Sequence, residues 1–136
     1  MINSISTKLW MTIALSIPLS GTLIPTVWAD TTQCIEEVSC YGTIDNDVIT
    51  GTVFIEEIFA IAGTNAVYAF GGGDHINGDE GNDRLEGNLG DDDLYGGPGG
   101  DQFWCNSGVD TIHDYSQAEG DKIMSESDCE IINPST

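Results

Sequence analysis

An apolar residue recurs at every ninth position along most of this chain. Residues 42–113 divide into eight consecutive blocks of nine without any insertion, and the eighth position of every block is apolar. The sixth position of every block is aspartate, asparagine or glutamate. A fixed period of this length is typical of a repeat architecture in which stacked units share one core. The apolar series is Ile49, Ile58, Val67, Ile76, Leu85, Leu94, Phe103 and Ile112.

Each block of nine predicts a glycine-rich turn followed by a very short strand. Glycine in the first six positions permits positive φ and lets backbone carbonyl groups approach a common point. Positions seven to nine form the strand, whose middle residue points inward while its two neighbours point outward. Two blocks make one coil, and successive coils stack as parallel strands, so each apolar side chain stacks on the one two blocks before it.

The sixth-position residues then fall on two edges of the stack. Coils lie about 4.8 Å apart, so two carboxylates on successive turns of one edge would repel by about 3 kcal/mol at an effective dielectric constant of about 20. A divalent cation between them reverses the sign of this interaction. Calcium suits such a position because it takes six to eight oxygen ligands in irregular geometry, whereas transition metals prefer nitrogen or sulfur. One edge carries Asp47, Asn65, Asp83 and Asp101, and the other carries Glu56, Asp74, Asp92 and Asp110.

Residues 42–113 resemble the nonapeptide G-G-x-G-x-D-x-U-x of RTX-type (haemolysin-type) calcium-binding proteins, most strongly at 71–110. The stretch "GVDTIHDYSQAEGDKI" (108–123) is similar to the segment that closes such arrays. The resemblance implies an all-β fold: a right-handed parallel β-roll, or β-solenoid, with two nonapeptides per coil and short terminal caps. It also implies Ca²⁺ in the turns, at about three sites.

The best calcium site is expected between turns 78–83 and 96–101, with Asp83 and Asp101 as bridging ligands. The next lies between turns 69–74 and 87–92 and uses Asp74 and Asp92. A third would pair Asp92 with Asp110, although its turn "CNSGVD" has lost two glycines, and Asn65 with Asp83 would make a weaker fourth. By the resemblance, carbonyl ligands come from the second and fourth turn positions: Asp79, Gly81, Gly97 and Gly99 for the best site, and Phe70, Gly72, Asn88 and Gly90 for the next.

The charge of the chain agrees with a cationic ligand. Three basic residues stand against 23 acidic ones, which gives a net charge of −20. Nucleic acid is not an expected partner, because phosphate binding needs a positive surface, and an anionic membrane is disfavoured for the same reason. A metal-free glycine–aspartate linker is the alternative interpretation, but linkers do not keep an apolar residue in phase.

Residues 1–29 are predicted to be a secretory signal peptide, which implies a secreted, extracellular protein. One positive charge, Lys8, precedes an apolar stretch that extends from Leu9 to about Leu19. An uncleaved membrane anchor is the alternative, but Pro18 and Pro25 interrupt a run already short for a span of about 20 residues. The mature chain is then expected to comprise an N-terminal cap (30–41), the repeat region (42–113) and a C-terminal capping segment (114–136).

Four cysteines in an exported chain indicate disulfides, for which three pairings are possible. We favour Cys34–Cys40 with Cys105–Cys129, because each pair brackets one end of the repeats. Zinc is disfavoured because no C-x₂-C element is present.

Residues 51–63 keep the ninefold phase but lose the turn glycines. A short amphipathic helix competes with a degenerate coil there, because Phe54, Ile58 and Ile61 lie at helical spacing. We favour the coil and expect no calcium ligand at Glu56.

The leading functional hypothesis is a secreted calcium-binding β-roll protein that folds on binding Ca²⁺ and is structural rather than catalytic. The chain lacks H-E-x-x-H, G-x-S-x-G and the P-loop pattern. The alternatives are a cell-surface or matrix adhesion module with purely structural calcium, and an accessory remnant of a secreted RTX enzyme. No protein or surface partner is identified. The outward aromatic and histidine residues His75, Tyr95, Trp104 and His113 could form a partner surface, although scattered surface aromatics are ordinary.

Overall fold

The computed structural model describes residues 30–35, 39–124 and 129–131, and these form two parallel six-stranded sheets. The odd-numbered strands make sheet A and the even-numbered strands make sheet B, so the chain alternates between the two sheets. The described residues contain no helix. The strands are β1 (Asp30–Gln33), β2 (Cys40–Tyr41), β3 (Asp47–Thr50), β4 (Glu57–Phe59), β5 (Ala66–Tyr68), β6 (His75–Asn77), β7 (Arg84–Leu89), β8 (Asp93–Tyr95), β9 (Gln102–Ser107), β10 (Asp110–Ile112), β11 (Lys122–Ile123) and β12 (Cys129–Ile131).

The register of the strands follows the ninefold period. Val67 pairs with Leu85, and Leu85 pairs with Phe103, so each coil adds two blocks of nine. β1 pairs with β3 and β12 pairs with β10, which means that the stack continues on both sides of the repeats. The all-β parallel β-roll expected from the sequence is confirmed.

The eighth-position side chains form the core of the stack. All of them are completely buried, and they belong to one hydrophobic cluster. Strand alternation explains the pattern, because the residues on either side of each core residue in β5 and β6 are only partly buried. A single coil contributes one large side chain per strand, so neighbouring coils supply nearly all the packing.

The degenerate segment 51–63 is a coil of the stack and not a helix. β4 pairs with β2 on one side and with β6 on the other, which places Ile58 between Cys40 and Ile76. Ile58 is buried, while Phe54 and Ile55 are exposed. Stacking of Ile58 on its neighbours in adjacent coils therefore determines the structure of this segment, and the helical spacing of its apolar residues does not.

Two disulfides close the ends of the structure in the pairing that the sequence favoured. Cys34–Cys40 joins the end of β1 to the start of β2. Cys105–Cys129 joins β9 in sheet A to β12 in sheet B, and thus fastens the closing segment to the last repeats. Within the described residues, no helix is long and apolar enough to cross a membrane.

Two leucines of β7 offer a matched test of this core. Leu85 is completely buried, whereas Leu89 is 63% exposed. We expect Leu85→Ala to lower the free energy of unfolding by about 2–5 kcal/mol and Leu89→Ala to change it by less than about 0.5 kcal/mol. Urea unfolding of both variants at saturating calcium measures the difference. Equal losses in the two variants would contradict the assignment of the core.

Candidate metal centre

The sixth-position side chains form a hydrogen-bond ladder along each edge of the roll. From Asn65 to Asp110, one oxygen of each sixth-position side chain accepts the backbone N–H of the sixth-position residue one coil earlier. Asp101 Oδ1 accepts from Asp83 N–H at 2.7 Å, and Asp83 Oδ1 accepts from Asn65 N–H at 2.7 Å. On the other edge, Asp92 Oδ1 accepts from Asp74 N–H at 2.7 Å. Every such side chain is therefore held in one orientation by a bond to the neighbouring coil.

The second oxygen of the central aspartates has no such bond. The Oδ2 atoms of Asp74, Asp83, Asp92 and Asp101 are buried and lack a hydrogen-bond partner. A buried carboxylate oxygen without a partner is costly, because it has lost water and gained nothing in return. A cation that accepts carboxylate oxygens would remove this cost. The residues that the sequence singled out thus fit a hard, oxygen-binding ion.

Burial also changes the acidity of these groups. It raises the pKa of Asp74 and of Asp101 to about 7, and the pKa of Asp83 to about 6. Desolvation is the largest cause in each case, and the charge of Asp121 further raises the pKa of Asp101. Burial likewise raises the pKa of Asp92. Without a cation, burial therefore disfavours the ionised form of these carboxyls, because that form has lost its hydration.

The turn backbone alternates in and out of the left-handed region. From residue 61 to residue 108, the second and fourth positions of each turn have positive φ. At the second position these include non-glycine residues, such as Phe70 (φ 74°), Asp79 (φ 62°) and Asn88 (φ 76°). Positive φ is uncommon outside glycine, so its regular recurrence shows that the stack imposes this turn conformation.

The fourth-position glycines allow carbonyl groups to approach the next coil closely. A Cβ added to Gly99 would lie 1.5 Å from Gly81 O, and one added to Gly90 would lie 1.3 Å from Gly72 O. At the second position, a Cβ on Gly97 would lie 2.1 Å from Asp79 O. Three of the carbonyl groups expected as ligands therefore point into the interface between successive turns.

Within the described residues, no group of three or more histidine, cysteine, aspartate or glutamate side chains is arranged to hold a metal ion. A site in these turns must combine two carboxylates with backbone carbonyls. Calcium accepts such a mixed set of oxygens, and zinc does not.

Two turns near the N-terminal end of the repeats differ from the glycine-rich turns. Asp47 Oδ2 accepts from Thr43 N–H at 2.5 Å, and Glu56 Oε2 accepts from Thr52 N–H at 3.0 Å. Glu56 Oε1 accepts a further bond from the Thr52 hydroxyl. The threonine at the second position thus supplies donors inside the turn, and both oxygens of Glu56 are already bonded.

The sequence-predicted ligands differ in their surroundings. Asp110 is buried and continues the ladder, because its Oδ1 accepts from Asp92 N–H at 2.9 Å. Asn88 also binds its own strand, since its Nδ2 donates to Glu86 O at 3.4 Å. Phe70 extends its ring to solvent and is 51% exposed, so only its backbone is available to a buried ion.

A second ladder at the fifth position was not foreseen from the sequence. Asn82 Oδ1 accepts from Gly100 N–H at 2.7 Å, and Asp91 Oδ1 accepts from Val109 N–H at 2.8 Å. Asn46 makes the same bond to Thr64 N–H at 2.7 Å. These bonds run towards the later coil, opposite to the sixth-position ladder. The signal was present in the sequence as asparagine or aspartate at the fifth position.

Two acids of the closing segment complete the last turns. Asp121 Oδ1 accepts from Asp101 N–H at 2.9 Å, and its Oδ2 accepts from Ser116 N–H at 2.7 Å. Asp114 accepts from the N–H groups of Gly96 and Gly97 at 2.9 and 2.8 Å. Asp121 therefore takes the place of a sixth-position residue, but its oxygens are both used by backbone N–H groups.

The fold and these turns define a parallel β-roll whose repeats present buried carboxylates and carbonyls to the space between coils. The family model for the RTX calcium-binding nonapeptide repeat matches residues 68–103, in four copies. Comparisons with curated proteins and with solved structures found no match. The matched repeats and the parallel coil architecture fit an RTX-type β-roll, and calcium binding is the property of that repeat family.

The raised pKa values predict how pH acts on the stability of the cation-free protein. The folded-state pKa values of Asp74, Asp83 and Asp101 lie above the usual value of 3.8. The folded state therefore binds more protons than the unfolded chain, and its stability falls as pH rises from about 4 to about 7. We expect the β-sheet circular dichroism of the cation-free protein to increase on acidification from pH 7.5 to pH 5.

Repulsion among the other carboxylates of the chain also lowers its stability as pH rises. Variants must therefore separate this general effect from the effect of the buried aspartates. Asp101→Asn removes one of the shifted carboxyls, while Asp45→Asn removes an exposed acid. We expect the pH dependence to weaken clearly in Asp101→Asn and only slightly in Asp45→Asn. A cation-free protein that becomes more stable as pH rises through this window would contradict the assignment.

Proposed function

We propose that this protein binds Ca²⁺ in the turns between stacked coils, and that ion binding drives its folding. In this proposal the protein is structural and not an enzyme. One observation carries it: central aspartates on both edges place a buried carboxylate oxygen without a hydrogen-bond partner at the coil interface. An oxygen-binding cation is the ligand that such atoms lack.

We assign the best site to turns 78–83 and 96–101. Its carboxylate ligands are Asp83 and Asp101, and its carbonyl ligands come from Asp79, Gly81, Gly97 and Gly99. The close approach of the Asp79 and Gly81 carbonyls to the later turn supports this assignment.

The second site uses Asp74 and Asp92 with carbonyls from Phe70, Gly72, Asn88 and Gly90. The approach of Gly72 O to Gly90 supports it. A third site pairs Asp92 with Asp110, which already share a ladder bond. About three ions would then occupy the roll.

Ion-dependent folding follows from the charge of the chain. With a net charge of −20, the compact state brings many carboxylates together. Each bound Ca²⁺ offsets two of these charges at the place where they are closest. Because the site exists only when successive turns are stacked, the free energy of binding becomes free energy of folding.

We further propose that the protein is exported and acts outside the cell. The predicted signal peptide at 1–29 lies outside the described residues. Two disulfides are consistent with an oxidising compartment. Extracellular calcium modules bind with dissociation constants of about 10⁻⁴ to 10⁻³ M, which suits an ion-driven folding step after export.

A second candidate function is a cell-surface or matrix adhesion module in which calcium is purely structural. The outer face of sheet A favours it, because this face is aromatic and basic in a chain that is otherwise acidic. The Arg84 guanidinium carbon lies 4.1 Å from the ring centre of Trp104 and 5.3 Å from that of Tyr68.

A calcium titration followed by far-ultraviolet circular dichroism tests the main proposal. We expect the chain comprising residues 30–136 to change from disordered to β-sheet at sub-millimolar to millimolar calcium, about 10⁻⁴ to 10⁻³ M. Magnesium should not produce the transition, because it requires a tighter octahedral site and keeps its water ligands. A chain that remains disordered at about 10 mM calcium, or that is fully folded in chelator, would contradict the proposal.

Asparagine substitutions distinguish the loss of a calcium ligand from the loss of the ladder hydrogen bond. Asn65 shows that asparagine supports the ladder, since its Oδ1 accepts from Asp47 N–H at 2.9 Å. Asp101→Asn should therefore keep the backbone bond but raise the calcium midpoint about tenfold or more, a loss of at least about 1.4 kcal/mol.

The matched control is Asp45→Asn, which removes the same charge from an exposed position. Its calcium midpoint should remain within about twofold of the unmodified chain. Equal shifts in Asp45→Asn and Asp101→Asn would show that overall charge, and not a site at Asp101, governs the transition.

A further inference from the structure

The basic residues that the structure describes lie in one column on the outer face of sheet A. Arg84 pairs in register with Gln102, and Gln102 pairs with Lys122, so the two cations flank an amide. The third basic residue of the sequence, Lys8, lies outside the described residues. In a chain of net charge −20, the two cations among the described residues thus lie on a single surface.

The outer face of sheet B also carries aromatic rings but has the opposite charge. Its strands carry Glu57, Asp93 and Glu130, and no lysine or arginine occurs in β2, β4, β6, β8, β10 or β12. The turns at both edges are lined by acids. The basic column of sheet A is therefore bordered by negative charge, which would confine an anionic ligand to this face.

Aromatic side chains accompany the basic column. Tyr68 and Trp104 occupy the same outward position two coils apart, a separation of about 9.6 Å at the usual strand spacing. The Arg84 guanidinium lies between them, in cation–π contact with both rings. Both rings remain partly exposed, so each still offers part of one surface to a ligand.

Arg84 keeps unused hydrogen-bonding capacity. Its Nη2 donates to Glu86 Oε2 at 3.0 Å, and its side chain is 43% exposed. Its Nε is buried and has no hydrogen-bond partner. Contact with the two flanking rings restrains the planar fork of the guanidinium, so little conformational entropy is lost when a carboxylate or sulfate binds.

An open groove beside this column adds neutral polar groups. It is lined by Asn46, Thr64, Asn82, Arg84 and Gln102, and also by the buried carboxylates of Asp47 and Asp83, among others. The Oδ1 atoms of Asn46 and Asn82 accept ladder bonds from the backbone, which leaves their amide NH₂ groups to donate outward. Such donors, together with the exposed Gln102, match a ligand rich in hydroxyl groups.

We propose that this basic–aromatic face, defined by Tyr68, Arg84, Gln102, Trp104 and Lys122, binds an acidic polysaccharide. Sugar rings would pack their C–H faces on Tyr68 and Trp104. Their carboxylate or sulfate groups would pair with Arg84 and Lys122, and their hydroxyl groups would bind the amides. Nucleic acid is disfavoured because its dense phosphate charge would meet the acidic edges, and a peptide of glutamate or aspartate alone has no ring to cover the aromatic surfaces.

Saccharide binding would be a function separate from calcium binding. Calcium would serve only to hold the coils at their spacing. The test is isothermal titration of the chain comprising residues 30–136 with alginate, hyaluronan and chondroitin sulfate oligosaccharides too short to gel with calcium. Dextran oligosaccharides of equal length supply the neutral comparison, and poly-glutamate supplies an acidic peptide. Each titration is run with calcium and with chelator, and circular dichroism records the fold in parallel.

We expect at least one acidic oligosaccharide to bind at least about tenfold more tightly than dextran and poly-glutamate. Trp104→Ala and Arg84→Gln should each weaken this binding about tenfold or more without changing the calcium midpoint. Glu86→Gln should strengthen it, because it frees the Arg84 fork. Tyr95→Ala, on the outer face of sheet B between the rings of His75 and His113, should leave it unchanged.

Three results would overturn the proposal: no binding of any acidic oligosaccharide to the folded protein, binding of poly-glutamate that equals the best saccharide, or an equal loss in Tyr95→Ala. A protein that folds without calcium but still binds saccharide through Arg84 and Trp104 would contradict the ion-dependent folding step and support this face. The two proposals can therefore fail separately.

Discussion

The structure depends on a carboxylate that uses its two oxygens differently. One oxygen accepts a backbone N–H from the neighbouring coil, and in the central turns the other is buried with no hydrogen-bond partner. The first bond alone does not explain why the chain uses aspartate, because Asn65 makes the same bond with an amide. Aspartate adds a negative charge at a buried position, and this is destabilising unless a cation shares it. The choice of aspartate over asparagine is thus the strongest physical argument for the ion.

The conformation of the turn backbone is a second feature on which the stacking of the coils depends. Left-handed conformation costs roughly 1–2 kcal/mol at Phe70, whereas Asp79 and Asn88 adopt it more readily. The contacts between coils must therefore hold these turns, with glycine at the fourth position where the carbonyl of the previous coil leaves no room for Cβ. An ion coordinated by these carbonyl oxygens together with the carboxylates would stabilise the stacked turns.

The periodic part of this architecture could be predicted from the sequence, because one apolar residue in nine identifies both the strand and its buried side. The helical spacing of the apolar residues within 51–63 was misleading, because pairing of Ile58 with Ile76 makes this segment a part of sheet B. The role of Asp121 could not be found from the period, because it bonds to Asp101 across 20 residues and not 18. Nor could the left-handed turn at Phe70, since phenylalanine itself gives no sign of that conformation.

The two ladders at the edges also determine what the faces of the roll can do. Because backbone pairing of the strands, together with the side-chain bonds at the fifth and sixth positions, sets the distance between coils, outward side chains such as Tyr68 and Trp104 are spaced without depending on their own packing. Acidic edges and a basic–aromatic face are then complementary features of one stack, in which cations would bind at the turns and an anionic chain would be directed to the sheet. A calcium ion that neutralises the edges would reduce the repulsion of such a chain and at the same time hold Arg84 and Lys122 at fixed spacing. Ion binding and saccharide binding would thus be coupled through the distance between coils, although they occupy different surfaces.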